Sequence, residues 1–180
     1  NYADGHWSGP FTDVDGDGLH EFDDGSERLR VYFRAGKKRG IALQWDNYRR
    51  CGDTDLDITV YSADGTVLDV GDAVQAEGAD RCSPVERVAP TLARDQWAEV
   101  EVRRVAGDPA VMINLLTSSG RIERTQPSSS VTDPGTHPAA WTIGAVKGDG
   151  YLMNPLEGFS SQGPTFAGDP KPDIVAPDGV

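Results

Sequence analysis

Leu56-Asp57-Ile58-Thr59-Val60-Tyr61, followed by Ala63-Asp64-Gly65 and then Thr66-Val67-Leu68, decides the fold. The first run alternates apolar and polar residues, so Leu56, Ile58 and Val60 share one face of a strand. Asp-Gly between two such runs is a strong hairpin signal. Working outward, short β-rich runs recur at Leu29 to Phe33, Ile41 to Trp45, Val85 to Val88, Trp97 to Val105 and Val111 to Leu116, with turn residues between them. Long helical periodicity is scarce. Strands at this spacing predict a mainly β chain, an antiparallel β-sandwich of jelly-roll-like form.

The pattern changes near residue 125. Thr125-Gln126-Pro127-Ser128-Ser129-Ser130 reads as a linker or loop, and one apolar strand follows, Trp141 to Val146. Gly- and Pro-rich turns then lead to Asp173-Ile174-Val175-Ala176-Pro177. Residues 125–180 carry too few apolar side chains to form a core alone and need a partner. The expected division is therefore a sandwich domain over 1–124 and a dependent segment over 125–180. A length of 180 residues suits one domain, or one domain with a fragment attached.

Seventeen Lys and Arg stand against 29 Asp and Glu, a formal net charge of −12. Such a chain has no basic surface to neutralise phosphates, which argues against nucleic acid and disfavours anionic membranes. No apolar run approaches membrane-spanning length. Asn1 to Trp7 has neither the basic end nor the apolar stretch of an export leader, so the chain reads as a mature or excised fragment. Cys51 and Cys82 each lie in loop-like sequence. An even count in an acidic, Gly- and Pro-rich chain points to one disulfide and an oxidising, extracellular compartment. Such a bridge would contribute roughly 2–4 kcal/mol; two free thiols in a cytosolic protein is the alternative.

Asp13-Val14-Asp15-Gly16-Asp17-Gly18-Leu19-His20-Glu21-Phe22-Asp23-Asp24 has the spacing of a calcium loop. Asp13, Asp15 and Asp17 alternate, Gly18 allows a sharp turn, and the Leu19 carbonyl, Glu21 and Asp24 fall at the remaining ligand positions. Ca²⁺ needs six to eight hard oxygens. Asp24 stands where an EF-hand has a bidentate Glu, and no helical pattern flanks the loop. A solvated Asp/Gly turn, its carboxylates capping backbone amides, is the other reading. A second acidic stretch, Asp53-Thr54-Asp55-Leu56-Asp57, reads as a solvent face. His6, His20 and His137 have no metal-ligand spacing. No nucleophile elbow surrounds Ser160 or Ser161, so these residues taken alone do not suggest an enzyme.

Two stretches resemble the subtilisin-like serine peptidases. Asp133-Pro134-Gly135-Thr136-His137-Pro138-Ala139-Ala140-Trp141-Thr142-Ile143-Gly144-Ala145-Val146 is similar to the segment that follows the oxyanion region in that family. Phe159-Ser160-Ser161-Gln162-Gly163-Pro164-Thr165, continuing through Lys171-Pro172-Asp173-Ile174-Val175-Ala176-Pro177, resembles its Phe-Ser-Ser-x-Gly-Pro and Lys-Pro-Asp-Ile-Val-Ala-Pro-Gly signature, with Asp178 intervening before Gly179. The resemblance covers the last third of the chain. It implies that the catalytic Asp and His precede Asn1 and the nucleophilic Ser follows Val180. It also implies that Asn1 is the oxyanion-hole Asn, a side-chain N–H donor to the tetrahedral oxyanion. Asp55 to Gly65 is in turn similar to the hairpin of pre-peptidase C-terminal domains, and Trp97 to Val102 to one of their strands. Those secreted β-sandwich modules are attached to proteases, some with calcium.

These readings predict a non-catalytic insert with an adjoining core segment of a secreted subtilisin-like endopeptidase, inactive alone. The implied partners are the remainder of the catalytic domain and the protein or peptide substrates of the whole enzyme. The competing reading is a free-standing calcium- or carbohydrate-binding adhesion module. It uses the Asp loop and exposed aromatic side chains such as Trp7, Trp45 and Tyr48, although a single buried aromatic set is the more common explanation for those residues.

Overall fold

The structure, a computed structural model, describes residues 3–36, 40–47, 54–75, 83–117, 121–153, 155–165 and 167–178. Asn1, Cys51 and Cys82 lie outside the described residues, and with them the oxyanion and disulfide expectations. The described chain is mainly β, with 3-10 turns at Ala3–Gly5 and Gly148–Met153. Contacts divide it into two units: Gly9–Arg124, and Asn1–Ser8 with Thr125–Val180.

The larger unit is a sandwich of two sheets. Its strands are β1 (His6–Pro10, which carries the chain in from the other unit), β2 (Leu29–Phe33), β3 (Ile41–Trp45), β4 (Thr54–Tyr61), β5 (Val67–Gly71), β6 (Val85–Val88), β7 (Gln96–Gly107) and β8 (Met112–Thr117). One sheet has the order β1-β8-β3-β6 and the other β2-β7-β4-β5. β3 pairs antiparallel with β6 and β8, β7 with β2 and β4, and β4 with β5.

The hairpin expected at Asp64-Gly65 joins β4 to β5. Gly65 has φ +84°, and Ser62 N–H donates to Thr66 O at 2.8 Å to close the loop. The loop contains a turn ended by a left-handed glycine, with a register shift beside it at Val60/Tyr61. Leu56, Ile58 and Val60 point inward and are fully buried, as are Val100 and Val102 of β7. The other sheet supplies Ile41, Leu43, Trp45, Ile113 and Leu115 to the core, all equally buried.

Trp7 and Trp45 are therefore core residues, not the exposed aromatics that the adhesion reading needs, and Tyr48 lies outside the described residues. A large ring that fills the space between sheets removes more apolar area from water than any aliphatic side chain could. β1 was missed by the sequence pattern. Its His, Trp, Ser and Gly are all buried, so it shows no alternation.

The smaller unit is built on a two-stranded parallel sheet, β9 (Ile143–Lys147) and β10 (Ile174–Asp178), in register Ile143↔Ile174 through Lys147↔Asp178.

Replacing Ile58 by Ala removes side-chain volume from the centre of the sandwich and should cost about 2–5 kcal/mol. Val67→Ala, on an exposed position of β5, should stay within about 0.5 kcal/mol. Urea unfolding followed by far-ultraviolet circular dichroism separates the two.

Candidate functional site

The family-like signature folds into a tightly packed backbone cluster in the smaller unit. Gly163 N–H donates to Lys171 O at 2.7 Å. A Cβ at Gly163 would lie 2.5 Å from that oxygen and 2.9 Å from Lys171 N, so only glycine lets the two segments meet. Gly144 in β9 is constrained likewise, since a Cβ there would lie 2.9 Å from Pro172 Cγ and 3.2 Å from Ser160 Oγ. Ser160 is fully buried, and its hydroxyl accepts from Ala145 N–H at 3.0 Å. Ser130 is buried too, accepting from Gln162 N–H at 2.9 Å and donating to Pro127 O at 2.5 Å.

Lys171 carries its charge into this cluster. Its ammonium donates to Ala140 O at 2.7 Å and to Asp173 Oδ2 at 2.8 Å, and only 3% of its side chain is exposed. Thr142 N–H donates to the same carboxylate oxygen at 2.7 Å. The Lys171 bond first, and then the Thr142 amide, hold the Asp173 carboxyl below its ordinary range. Each polar group here holds a strand or a loop. His137 is exposed and its Nδ1 accepts from Ala139 N–H at 3.1 Å, while Ser160 is spent on β9. Among the signature residues described above, Gly163, Ser160, Lys171 and Asp173 hold backbone segments in place.

The acidic loop belongs to the larger unit. Gly16 and Gly18 take φ +83° and +86°, which curls Asp13 to Gly18 into a tight loop. Asp13 accepts from Gly16 and Gly18 N–H at 2.8 and 3.2 Å, and Asp17 from Leu19 N–H at 2.8 Å. One oxygen each from Asp13, Asp15 and Asp17 lies within 4.8 Å of the others. Two of the remaining expected ligands, Glu21 and Asp24, have other partners. Glu21 caps Val14 N–H with both oxygens at 2.9 Å. The backbone on either side of Leu19 is pinned to β7, where Gly18 O accepts from Arg104 N–H at 2.8 Å and His20 N–H donates to Val102 O at 2.9 Å. Asp24 accepts from Ser26 and pairs with Arg124, which holds its carboxyl well below the usual range.

Three hard oxygens suit Ca²⁺ but supply only half of its usual shell. Arg104 Nη2, 3.3 Å from Asp13 Oδ2, competes for one of them. Desolvation first, and then the neighbouring Asp17 and Asp15, raise the Glu27 carboxyl above its ordinary range. His20 is not a ligand of this group. It is buried between Phe11 and Phe22, accepts from Thr12 N–H at 3.1 Å, and is lowered to about 4, chiefly by burial. His6 is buried in the smaller unit, where Nδ1 donates to Gln126 O at 2.6 Å.

Sequence inspection also misjudged the start of β4. Asp55 is 8% exposed and Asp57 is half-buried, so the described part of this stretch, Thr54 to Asp57, is not a solvent face, and Asp53 lies outside the described residues. A usable signal lay elsewhere: in Val85-Glu86-Arg87-Val88 the alternation puts Glu86 on the same face as Val88, an acid on a core-facing position.

No protein-family model matches the chain, and no curated protein sequence matches it. Among solved structures, the chain resembles the CspB protease of Clostridium perfringens, with a TM-score of 0.63 at 16% identity. The match covers 97% of this chain and 39% of that protease, so the chain spans about two fifths of its neighbour's length. At this identity the likeness is one of fold: a protease contains an architecture like this one.

Gly163→Ala should cost about 1–3 kcal/mol, because its Cβ would meet backbone and not a flexible side chain. Gly158→Ala, where a Cβ meets nothing within 4 Å, is the matched control. Amide exchange at Ala145 and Val175 reads the difference. Because the Asp173 carboxyl is lowered, its contribution is present above the ordinary Asp pKa near 3.9 and is lost as pH falls below that. Asp173→Asn should therefore weaken β9–β10 at neutral pH and flatten the acid limb of its exchange profile.

Proposed function

We propose that the chain is a non-catalytic β-sandwich insert together with an adjoining core segment of a larger, secreted subtilisin-like serine endopeptidase. The observation that carries this reading is the parallel pair β9–β10. Parallel sheets are normally covered on both faces, yet Ile143 and Ile174, paired on one face, are 57% and 47% exposed. Trp141 just before β9 is 79% exposed. Two parallel strands with bare apolar side chains make sense as part of a wider sheet. The Phe159 to Pro177 signature and the protease-like fold favour the same assignment. The whole enzyme would hydrolyse peptide bonds by a Ser-His-Asp mechanism, and this segment would supply at most the Asn1 oxyanion donor.

The sandwich, in this reading, screens or recruits protein substrates and stabilises the enzyme. Calcium on Asp13, Asp15 and Asp17 would tighten its first loop. The adhesion alternative has lost Trp7 and Trp45 to the core.

The test is the complete polypeptide, with and without residues 9–124. Cleavage of a short chromogenic peptide should survive the excision within a few-fold, while cleavage of folded proteins and the thermal midpoint should change. Unchanged substrate range together with unchanged stability would overturn the role given to the sandwich. Ile174→Lys should lower the midpoint of the complete polypeptide by several degrees and leave the isolated 180-residue chain unaffected. Equal effects in both would remove the argument for a wider sheet.

A further inference from the structure

Four carboxylates of the sandwich lie on or next to β4, β5 and β6. Asp55 and Asp57 are on β4, Asp72 follows β5, and Glu86 is on β6 in the opposite sheet. Glu86 is 4% exposed. Its neighbours in β6 and β3, Val88, Ile41 and Leu43, are core residues, so the carboxylate is held where an ion is costly. A buried acid of this kind normally has a cationic partner. Among the described residues none of the four forms an ion pair. The exposed Arg103, opposite Asp57 on β7, acts on the Asp57 carboxyl.

Gln75 gathers the two buried acids. Its backbone N–H donates to Asp55 Oδ1 at 3.4 Å, and its side-chain Nε2 donates to Glu86 Oε1. The same amide leaves its oxygen, Gln75 Oε1, buried and without a hydrogen-bond partner, although the residue is only 4% exposed. The Glu86 carboxylate also accepts from the backbone at Ala73 and Arg87, but these neutral donors do not cancel its charge, and the amide oxygen beside it stays unpaired. Gly71 makes room for the arrangement, since a Cβ there would lie 2.8 Å from Glu86 Oε2. The electrostatics agree. Burial first, then Asp55, Asp72 and Glu86, push the Asp57 carboxyl up to about 6. Burial likewise raises Glu86.

We infer that Gln75 Oε1, Glu86 and Asp55 are the protein ligands of a second divalent-cation site, of the oxygen-only kind that takes Ca²⁺, with Asp57 and Asp72 supplying further charge. The site is separate from the Asp13 loop and does not depend on the protease assignment. An amide oxygen, two carboxylates and solvent form an ordinary Ca²⁺ shell, whereas Mg²⁺ gives up its water reluctantly. The ion would tie β6 of one sheet to β4 of the other and so clamp an edge of the sandwich.

The test is a calcium titration of the 180-residue chain carrying Asp13→Asn, Asp15→Asn and Asp17→Asn, which silences the first loop. Calorimetry should still report one Ca²⁺ per chain. Calcium at about a hundred times its Kd should raise the melting temperature by roughly 5 °C or more. Glu86→Gln in that background should abolish the binding heat and make the calcium-free chain more stable than its parent, since a buried charge has gone and the acceptor for Gln75 Nε2 remains. Asp57→Asn, at a half-buried position, covers the case in which the Glu86 variant does not fold, and should weaken calcium binding several-fold. A silenced-loop chain that shows no binding heat and an unchanged melting temperature overturns the site. So does calcium binding that survives in full in both the Glu86 and the Asp57 variants.

Discussion

The sandwich depends on one constraint: the apolar face of β4 has to be removed from water. Leu56, Ile58 and Val60 point the same way because strand side chains alternate, and each is completely buried. β7 continues that face with Val100 and Val102, and β2 with Leu29 and Val31. A sheet with one such face is stable only when another layer covers it. The second sheet does so with Ile41, Leu43, Trp45, Ile113 and Leu115. The outward residues are then free to be polar, which is where the surface ion pairs such as Arg28–Glu99 and Arg30–Glu123 sit. Exposed pairs of that kind contribute little to stability. The fold is held by the layer contact, and the charges decorate it.

The same constraint, applied to the smaller unit, gives the opposite result. β9 and β10 are paired and their loops are tied by Gly163, Ser160 and Lys171, so the local geometry is well determined. One face nevertheless leaves Ile143 and Ile174 in water. Tight backbone packing without a covered sheet face is an unusual combination for an independent domain, because conformational entropy has been lost without the apolar burial that normally offsets it. It is natural in a segment that shares its core with other chain. The glycines at 144 and 163 then serve close approach, and Lys171 replaces solvent for the Ala140 carbonyl.

Most of the sandwich was legible because its signal is local. Alternation and an Asp-Gly turn located β2 to β8 within a few residues of their ends. β1 escaped because His6 to Gly9 is buried throughout and offers no period to detect. The acidic loop was legible as spacing, since Asp13, Asp15 and Asp17 need only their own glycines to converge. Asp24 was not, because its fate is set by Arg124, a hundred residues away, and Arg104 reaches Asp13 across a similar gap. Trp7 and Trp45 were legible only as alternatives, with a buried aromatic set the commoner reading and the one the structure bears out. An aromatic ring carries no mark that separates a binding platform from a core filler until the layer above it is known.

Buried charge is the feature that local pattern conveys least and that the sandwich handles in two ways. At Asp24 and Asp13 a guanidinium arrives from a distant strand or loop and supplies the opposite charge, to an exposed carboxylate at Asp24 and to a largely buried one at Asp13. At Glu86 the carboxylate lies on a core-facing position of β6, and its one described side-chain partner is an uncharged amide. An amide can satisfy a hydrogen bond but cannot cancel a charge, and Asp55 and Asp57 add to the repulsion. A neutral side chain of similar shape at position 86 would keep the bond to Gln75 without that cost. Stability of the sandwich alone therefore gives no reason for an ionisable group there. A cation small enough to fit beside Gly71, as inferred above, would give that charge a physical purpose.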